Sequence, residues 1–74
     1  MRKIPLTMLS RGREAKIIAC CAEDSTKKFL EALGLVPGVT ISVISKMNRN
    51  VIVSVKGTRL ALSKGIAHQL LVQL

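Results

Sequence analysis

The feature that most constrains the fold is a corner at residues 30–38, where a helical pattern stops and a strand pattern begins. Phe29, Leu30 and Leu33 recur at the spacing of one helical face. Gly34 follows at the position where a left-handed residue ends a helix without steric cost. These residues predict a helix whose last turn lies at the corner.

Beyond Gly34 the chain is predicted to change direction. Leu35 is placed to pack against Leu30 as the apolar contact of the helix cap. Pro37, followed by Gly38, does not continue the helix, because proline has no backbone N–H to donate and its ring fixes φ. Apolar residues then recur at the strand period of two, at Val39, Ile41 and Val43. The corner therefore predicts a helix-to-strand connection.

A second alternating pattern precedes the helix, at residues 14–21, and its β-branched pair favours a strand. One predicted face carries Ala15, Ile17 and Ala19. The other carries Lys16, Ile18 and Cys20.

Acidic residues mark the start of the predicted helix. Glu23 and Asp24 complement the positive end of the helix dipole, and the short polar side chains that follow are good caps. We expect the helix to run from Asp24 to Leu33, with Phe29 on the face that packs against the core.

The rest of the chain predicts an antiparallel meander. Strand patterns cover residues 39–46, 51–56 and 58–62, with a loop at residues 47–50 between the first two. The last two strands meet at a tight hairpin turn that contains Gly57, since glycine tolerates a positive φ.

Both ends of the chain are expected to add to this sheet. Residues 70–74 predict a final strand, and Ser63 is placed to cap one helical turn that runs through His68. The first segment, which contains Pro5, predicts a short strand or extended arm at a sheet edge. The fold class is therefore mainly β: a small, strongly bent barrel of five to six short antiparallel strands, with one inserted α-helix and a short C-terminal helical turn.

Size and charge narrow the function classes. The chain has 74 residues, which predicts one domain over residues 1–74 without a large active-site cleft. Twelve Lys and Arg residues against four acids give a net charge of +8, which suits an acidic protein, a nucleic acid or an anionic membrane surface. Phe29 is the only aromatic residue, so the chain lacks a stacking platform for single-stranded nucleic acid. We therefore expect no nucleic-acid partner.

The sequence favours a cytoplasmic location. It has no apolar run of the length that a transmembrane helix needs, and its basic start lacks the apolar region of a signal peptide. The adjacent Cys20 and Cys21 would point to opposite faces of a strand, which disfavours a disulfide between them. Reduced thiols fit the cytoplasm.

The chain offers little for catalysis or metal binding. Its four carboxylates show no spacing that pairs an acid with a base. Cys20, Cys21 and His68 are the only soft or borderline ligand candidates, and they form neither a Cys-x-x-Cys nor a His-x-x-x-His motif. We predict a protein that is not an enzyme and needs no cofactor, with these three residues as weak metal candidates.

Together these motifs resemble the FeoA family, ferrous iron transport protein A. The most specific part of the resemblance is the Leu-Gly-Leu-Val-Pro-Gly corner at residues 33–38, followed by a β-branched strand. The hairpin at residues 55–62 and the closing residues 67–72 extend the resemblance over nearly the whole chain.

The resemblance implies an SH3-like β-barrel and a small accessory protein of ferrous iron transport. Such a protein would act by contact with the cytoplasmic G-protein domain of a FeoB-type permease. Association with the inner membrane face and the oligomeric state stay open. The C-terminal domain of DtxR-type metal repressors has the same fold, so the alternative function is a regulatory domain of that kind or a small basic nucleic-acid-binding barrel. We expect no DNA-binding domain upstream of the barrel pattern, which would favour the transport protein.

We predict that the partner is bound at the corner, the adjoining helix and nearby basic residues. The predicted contact residues are Lys27, Lys28, Leu33, Gly34, Leu35, Val36, Pro37, Gly38, Arg49, Lys56 and Arg59. Leu35 and Val36 are expected to be exposed.

Two departures from the family pattern mark a divergent member. The family usually carries Arg at the position of Phe29 and a Gly-Asp-Pro element in the loop at residues 47–50. A polar contact made by relatives at either position is therefore not expected here.

Overall fold

The computed structural model describes residues 3–74, which form one antiparallel sheet and two α-helices. The strands are β1 (Lys3–Pro5), β2 (Glu14–Cys20), β3 (Thr40–Lys46), β4 (Asn50–Val55), β5 (Thr58–Ser63) and β6 (Leu70–Gln73). The helices are α1 (Asp24–Ala32) and α2 (Lys64–His68), and a 3₁₀ turn covers Leu6–Met8. The prediction of a mainly β fold with an inserted helix and a C-terminal helical turn is confirmed.

The strands lie in the order β1-β6-β2-β3-β4-β5, so β1 and β5 form the two edges of the sheet. The predicted meander is β3, β4 and β5, and the final strand β6 lies between β1 and β2. Helix α2 contacts both β5, one edge strand, and the 3₁₀ turn that follows β1, the other edge strand. It thus covers the core between the two edges of the sheet. Neither helix of the described residues 3–74 has the length and hydropathy of a membrane-spanning segment.

The core is aliphatic, as the low aromatic content requires. It draws on every strand except β1 and on the segments that connect the strands. Its buried residues are Leu6, Leu9, Ala15, Ile17, Leu30, Leu35, Ile41, Val43, Val51, Val53, Val55, Leu62, Ala67, Leu70 and Val72.

The hairpin turn and the C-terminal helix form as predicted. Lys56 and Gly57 both adopt positive φ, at 51° and 80°, as a tight two-residue hairpin turn requires. The Ser63 side chain accepts a hydrogen bond from the Ile66 N–H at 3.3 Å and caps α2. At α1, by contrast, Glu23 stands at the N-cap without a side-chain hydrogen bond.

The predicted faces of β2 are wrong beyond Ile17. Ile17 pairs with Val72 and Ala19 pairs with Leu71, so the strand contains one extra residue between these pairs. This β-bulge reverses the alternation, because two residues oppose one partner. Cys20 consequently packs against the core, while Ala19 turns away from it.

Candidate functional site

The corner closes helix α1 with a Schellman cap. The N–H of Leu35 donates to the Leu30 carbonyl at 2.9 Å, and the N–H of Gly34 donates to the Glu31 carbonyl at 3.0 Å. Gly34 has a φ of 87°, the left-handed conformation that this cap requires. The predicted cap and its apolar contact between Leu30 and Leu35, both in the core, are confirmed.

The prediction that Leu35 is exposed for partner binding is wrong. Only 2% of Leu35 is accessible, because the cap folds it back into the core beside Leu30. The accessible residues of the corner are therefore the half-buried Leu33, Gly34 and Val36 and the exposed Glu31, Ala32, Pro37 and Gly38.

Two backbone hydrogen bonds fix the corner to β2. The N–H of Gly38 donates to the Ile17 carbonyl at 2.7 Å, and the N–H of Ile17 donates to the Val39 carbonyl at 2.9 Å. The corner is thus held against the middle of a central strand. A partner that touched Val36 or Pro37 would meet a positioned backbone.

The prediction that Phe29 faces the core is also wrong, since 53% of this residue is exposed. The buried stripe of α1 instead follows Thr26, Leu30 and Leu33, which are spaced by four and three residues. Leu30 is fixed inward by the cap, and neighbouring helical residues point about 100° apart. Phe29 therefore lies on the solvent side with Lys28, and Lys27 is exposed as predicted.

The structure brings some of the predicted basic contacts together and separates one. Ile41 pairs with Val55, so the β4–β5 turn with exposed Lys56 lies at the same end of the sheet as the corner, and Arg59 follows on β5. Arg49 lies at the opposite end, in the loop that precedes β4. Its carbonyl accepts the N–H of Lys64 at 3.0 Å, which ties that loop to α2. Arg49 therefore does not share one surface with the corner.

The weak metal candidates lie near one end of β2 and β6. Cys20 is half-buried, Cys21 is exposed, and His68 is exposed at the end of α2. The Cys21 N–H donates to the carbonyl of Gln69 at 2.8 Å. Within residues 3–74, no group of three or more His, Cys, Asp or Glu side chains is arranged to hold a metal ion.

A second surface, absent from the sequence prediction, lies where the chain passes from the 3₁₀ turn into β2. A pocket of about 220 Å³ opens there, and its lining is Ile4, Met8, Leu9, Ser10, Arg13 and Leu74. Met8 is 67% exposed, the largest exposure among the large apolar residues of the described chain. The sequence signal was weak, because the apolar residues of this segment follow no single period.

Polar contacts organise the neighbouring barrel end. The ammonium group of Lys46 donates to the Thr7 carbonyl at 3.0 Å, and the Thr7 hydroxyl lies 3.3 Å from Nδ1 of His68. Lys46 reaches Thr7 because β3 has a bulge between Val43 and Ser45. Because of the extra residue, Lys46 pairs with Val51 instead of Asn50, and its side chain lies on the face of the sheet that carries Val51.

The comparisons with known proteins agree with the fold. The sequence profile of the FeoA domain matches residues 4–74. A solved iron uptake regulatory protein (FeoA) is 29% identical, with a TM-score of 0.90 and 97% of each chain covered. FeoA of Stenotrophomonas maltophilia, solved with zinc and described as a prokaryotic SH3 domain protein, is 26% identical with a TM-score of 0.80, covering 92% of this chain and 87% of that one. The predicted SH3-like fold is therefore confirmed.

A manganese-dependent transcriptional repressor also has this fold. It is 12% identical with a TM-score of 0.88, and 95% of this chain matches 40% of the repressor, so this likeness shows the fold alone. The curated protein sequences gave no match. The family profile, which spans nearly the whole described chain, decides the assignment. The chain belongs to the FeoA family, small accessory proteins with a role in ferrous iron transport.

Proposed function

We propose that this protein is a cytoplasmic accessory protein of ferrous iron transport that acts by contact with the G-protein domain of a FeoB-type permease. The observation that carries the proposal is the match of the FeoA domain to residues 4–74. The protein would bias the permease by binding, with no chemistry of its own, and residues 1–74 would act as one domain.

The contact surface that we propose is the corner end of the molecule. It combines the accessible part of the corner with four basic side chains from α1, the β4–β5 turn and β5. Its members are Lys27, Lys28, Leu33, Gly34, Val36, Pro37, Gly38, Lys56 and Arg59. Leu35 supports this surface from below, and Arg49 stands apart from it at the other end of β4.

Charge supports an acidic partner for this surface. Its four exposed cations outnumber the one acid of the corner, Glu31, and are complementary to an acidic patch on a protein. The net charge of +8 for the whole chain would also favour the inner membrane face beside a permease. Exposed charge pairs are screened over about 8–10 Å at physiological salt. Binding is therefore expected to weaken as the salt concentration rises.

A titration against the cytoplasmic domain of the FeoB-type permease tests the proposal. We expect Lys56→Glu with Arg59→Glu to weaken binding about tenfold or more, because like charges would then face an acidic patch. Arg49→Glu with Lys64→Glu is the matched control, since it changes the net charge equally at the opposite end. Equal losses of affinity in both double variants would contradict the proposal that the partner binds at the corner surface.

Steep, salt-dependent binding to DNA, with none to the permease domain, would favour the alternative of a nucleic-acid-binding barrel.

We further propose that the protein works without holding iron tightly. Cys20, Cys21 and His68 form no cluster of three ligands, and tight sites for divalent metals use three or four protein ligands. Anaerobic equilibrium dialysis with Fe(II) should therefore show no stoichiometric binding at micromolar metal. Stoichiometric binding that is lost in the Cys20→Ser, Cys21→Ser double variant would overturn this proposal.

A further inference from the structure

The two edges of the sheet differ in how well they are protected against an added strand. Strand β1 has three residues and ends in Pro5, which has no N–H to offer to a neighbour. Strand β5 has six residues and no proline. It pairs with β4 on one side, and within residues 3–74 no strand pairs with its other side. The edge of β5 is therefore the one that is open to pairing.

The hairpin turn fixes which backbone groups of β5 point to the open side. In a two-residue hairpin the flanking residues, here Val55 and Thr58, form a hydrogen-bonded pair. The N–H of Lys64 donates to the Arg49 carbonyl at 3.0 Å, which is the same kind of bond an even number of residues further along the chain. Because hydrogen-bonded pairs alternate along an antiparallel ladder, the even-numbered residues of β5 bond to β4 and the odd-numbered residues direct their N–H and C=O outward.

Arg59 and Ala61 are the residues in the middle of β5 whose backbone faces the open side. Both are exposed, and within residues 3–74 no hydrogen bond from another segment reaches the N–H or C=O of either residue. Residues two apart in a strand are spaced by about 6.4–6.8 Å, which is also the repeat of an extended peptide. Such a peptide can pair with these groups by main-chain hydrogen bonds.

The core is incompletely covered along this edge. Leu60 lies opposite Val53 and Leu62 lies opposite Val51, so all four side chains are on the inner face of the sheet. Val51, Val53 and Leu62 are at most 2% exposed, whereas Leu60 is only half-buried. A side chain from an added strand would cover the open flank of Leu60. The position beside Leu60 therefore favours an aliphatic residue.

The charge at this edge is positive. Lys56 lies in the turn before β5 and Arg59 lies on β5, and both are exposed. The elements that pack most closely against β5 are β4 and α2, and neither contains an Asp or Glu residue. The edge thus offers cations without a carboxylate on the elements that adjoin it.

The carboxylates of the chain lie on other elements. Glu14 is on β2, and β3 and β4 lie between β2 and β5 in the sheet. The other three acidic side chains are on α1 or at its N-cap. The terminal carboxylate at Leu74 follows β6, which pairs with β1 and β2.

Charge also selects between two sources of an added strand. A second copy of this chain, paired antiparallel about Leu60, would set Lys56 of one copy near Lys64 of the other. Like charges opposite each other destabilise such a pairing, whereas an acidic segment would attract Lys56 and Arg59. An acidic segment of another protein is therefore favoured over a second copy.

We propose that β5 is a docking edge for an extended acidic segment of the partner protein, which adds to the sheet as a seventh strand. The segment pairs its backbone with the N–H and C=O of Arg59 and Ala61. An aliphatic side chain of the segment covers Leu60, and carboxylates on the outer face lie beside Arg59 and Lys56. This inference deepens the proposed function, because it states how the partner is held at the corner end, and it rests on that function for the identity of the partner.

Amide hydrogen exchange of the full chain, followed by NMR, tests the proposal. The probe is the peptide acetyl-Glu-Val-Glu-Val-Glu-amide, whose valines and glutamates lie on opposite faces of a strand. We expect saturating peptide to slow exchange at the N–H groups of Arg59 and Ala61 about tenfold or more. The matched control is the N–H of Ser25, an exposed residue in the first turn of α1, where N–H groups have no helical partner. Equal slowing at Ser25, or no slowing at Arg59 and Ala61, would overturn the proposal.

A backbone variant tests the hydrogen bonds of the added strand. Ala61→Pro removes an outward N–H without removing a bond to β4, as proline at a sheet edge allows. We expect it to weaken peptide binding about three- to tenfold, the range for one hydrogen bond. Ala61→Ser keeps the N–H and should leave the affinity nearly unchanged. If the proline variant does not fold, the peptide with every backbone nitrogen methylated replaces it, and this peptide should not bind to the wild-type chain.

A charge variant tests the contribution of the cations. Arg59→Gln should weaken peptide binding about two- to fivefold, the range for an exposed charge pair. The matched control is Arg13→Gln, which removes another exposed arginine, next to β2, and should leave the affinity unchanged. Equal losses in the two variants would show that only the net charge of the chain matters and would contradict docking at β5.

The cytoplasmic domain of the FeoB-type permease separates this inference from the proposed function. Binding of that domain without slower exchange at Arg59 and Ala61 would overturn the inference and leave the proposed function in place. Slower exchange with the peptide, but no binding of the permease domain, would contradict the proposed function alone. Slower exchange that appears on raising the protein concentration without peptide would identify a second copy as the occupant and overturn the inference.

Discussion

Two irregular segments of the chain perform the same structural task with different sequence signals. The corner, residues 30–38, buries Leu30 and Leu35. The N-terminal link, residues 6–13, buries Leu6 and Leu9. Each segment leads into a central strand of the sheet. Each also has a large exposed apolar residue in it or beside it, Met8 in the link and Phe29 just before the corner.

The two segments differ in how well their structure can be predicted from sequence. The corner is predictable because glycine and proline interrupt a helical period at defined positions. The link has Gly12 at a φ of 81°, but its apolar residues follow neither the helical nor the strand period. A turn signal can thus locate a connection without indicating which of its apolar residues are buried.

The largest expected effect comes from the buried leucines. If the two segments contribute equally to the core, Leu9→Ala and Leu35→Ala should each lower the free energy of unfolding by about 2–5 kcal/mol, the range for a buried leucine. Urea denaturation measures the loss, and Leu→Val at each position provides a milder change if the alanine variants do not fold. A loss near zero at Leu35 beside a large loss at Leu9 would show that the corner contributes much less to the stability of the core than the N-terminal link.

A smaller effect is expected from the two glycines. Gly12 and Gly34 have φ of 81° and 87°, and a side chain at either position would meet no atom within 4 Å. Alanine should therefore cost about 1–2 kcal/mol at each position through backbone strain alone. Gly65→Ala is the control, because Gly65 lies in α2 with no positive φ and equally open space. There alanine should stabilise the protein by about 0.5–1 kcal/mol. Thermal unfolding would show opposite signs for the same chemical change.

The smallest effect is expected from the exposed apolar residues. Met8→Ser and Phe29→Ser should each change the free energy of unfolding by no more than about 0.5 kcal/mol, because both side chains already face water. Chemical denaturation of the two variants is the measurement. A loss above about 1 kcal/mol at Phe29 would instead support the prediction from sequence that this ring packs against the core.

Much of the fold could be predicted from local chemistry. The Schellman cap at Gly34, the hairpin turn at Gly57 and the Ser63 cap each depend on one residue type at one position, and each forms as expected. The resemblance to the family depended on two of these features, the corner at Gly34 and the hairpin at Gly57. The family profile extends it over residues 4–74.

The errors have identifiable physical origins. Period-based interpretation assumes that alternation continues, and the bulge in β2 reverses it for Ala19 and Cys20. On α1, Phe29 and Leu30 compete for the core, and the cap decides for Leu30. That same cap buries Leu35, which removed it from the predicted contact surface. Arg49 was grouped with Lys56 on charge alone, although the predicted strand at residues 51–56 already separates the loop that contains Arg49 from the hairpin turn.

The bulge in β3 makes one position of this strand a natural site for length variation. In a regular strand, loss of one residue turns every later side chain to the opposite face. In β3 the extra residue, Ile44, lies between Val43 and Ser45. Its loss would leave Ser45 paired with Ile52 and Lys46 paired with Val51, as they are now. Deletion of another β3 residue before Lys46, with the bulge kept, would reverse Lys46 and separate it from Thr7. Ile44 is therefore the residue at which this strand can differ in length by one between relatives while the barrel end keeps its contacts.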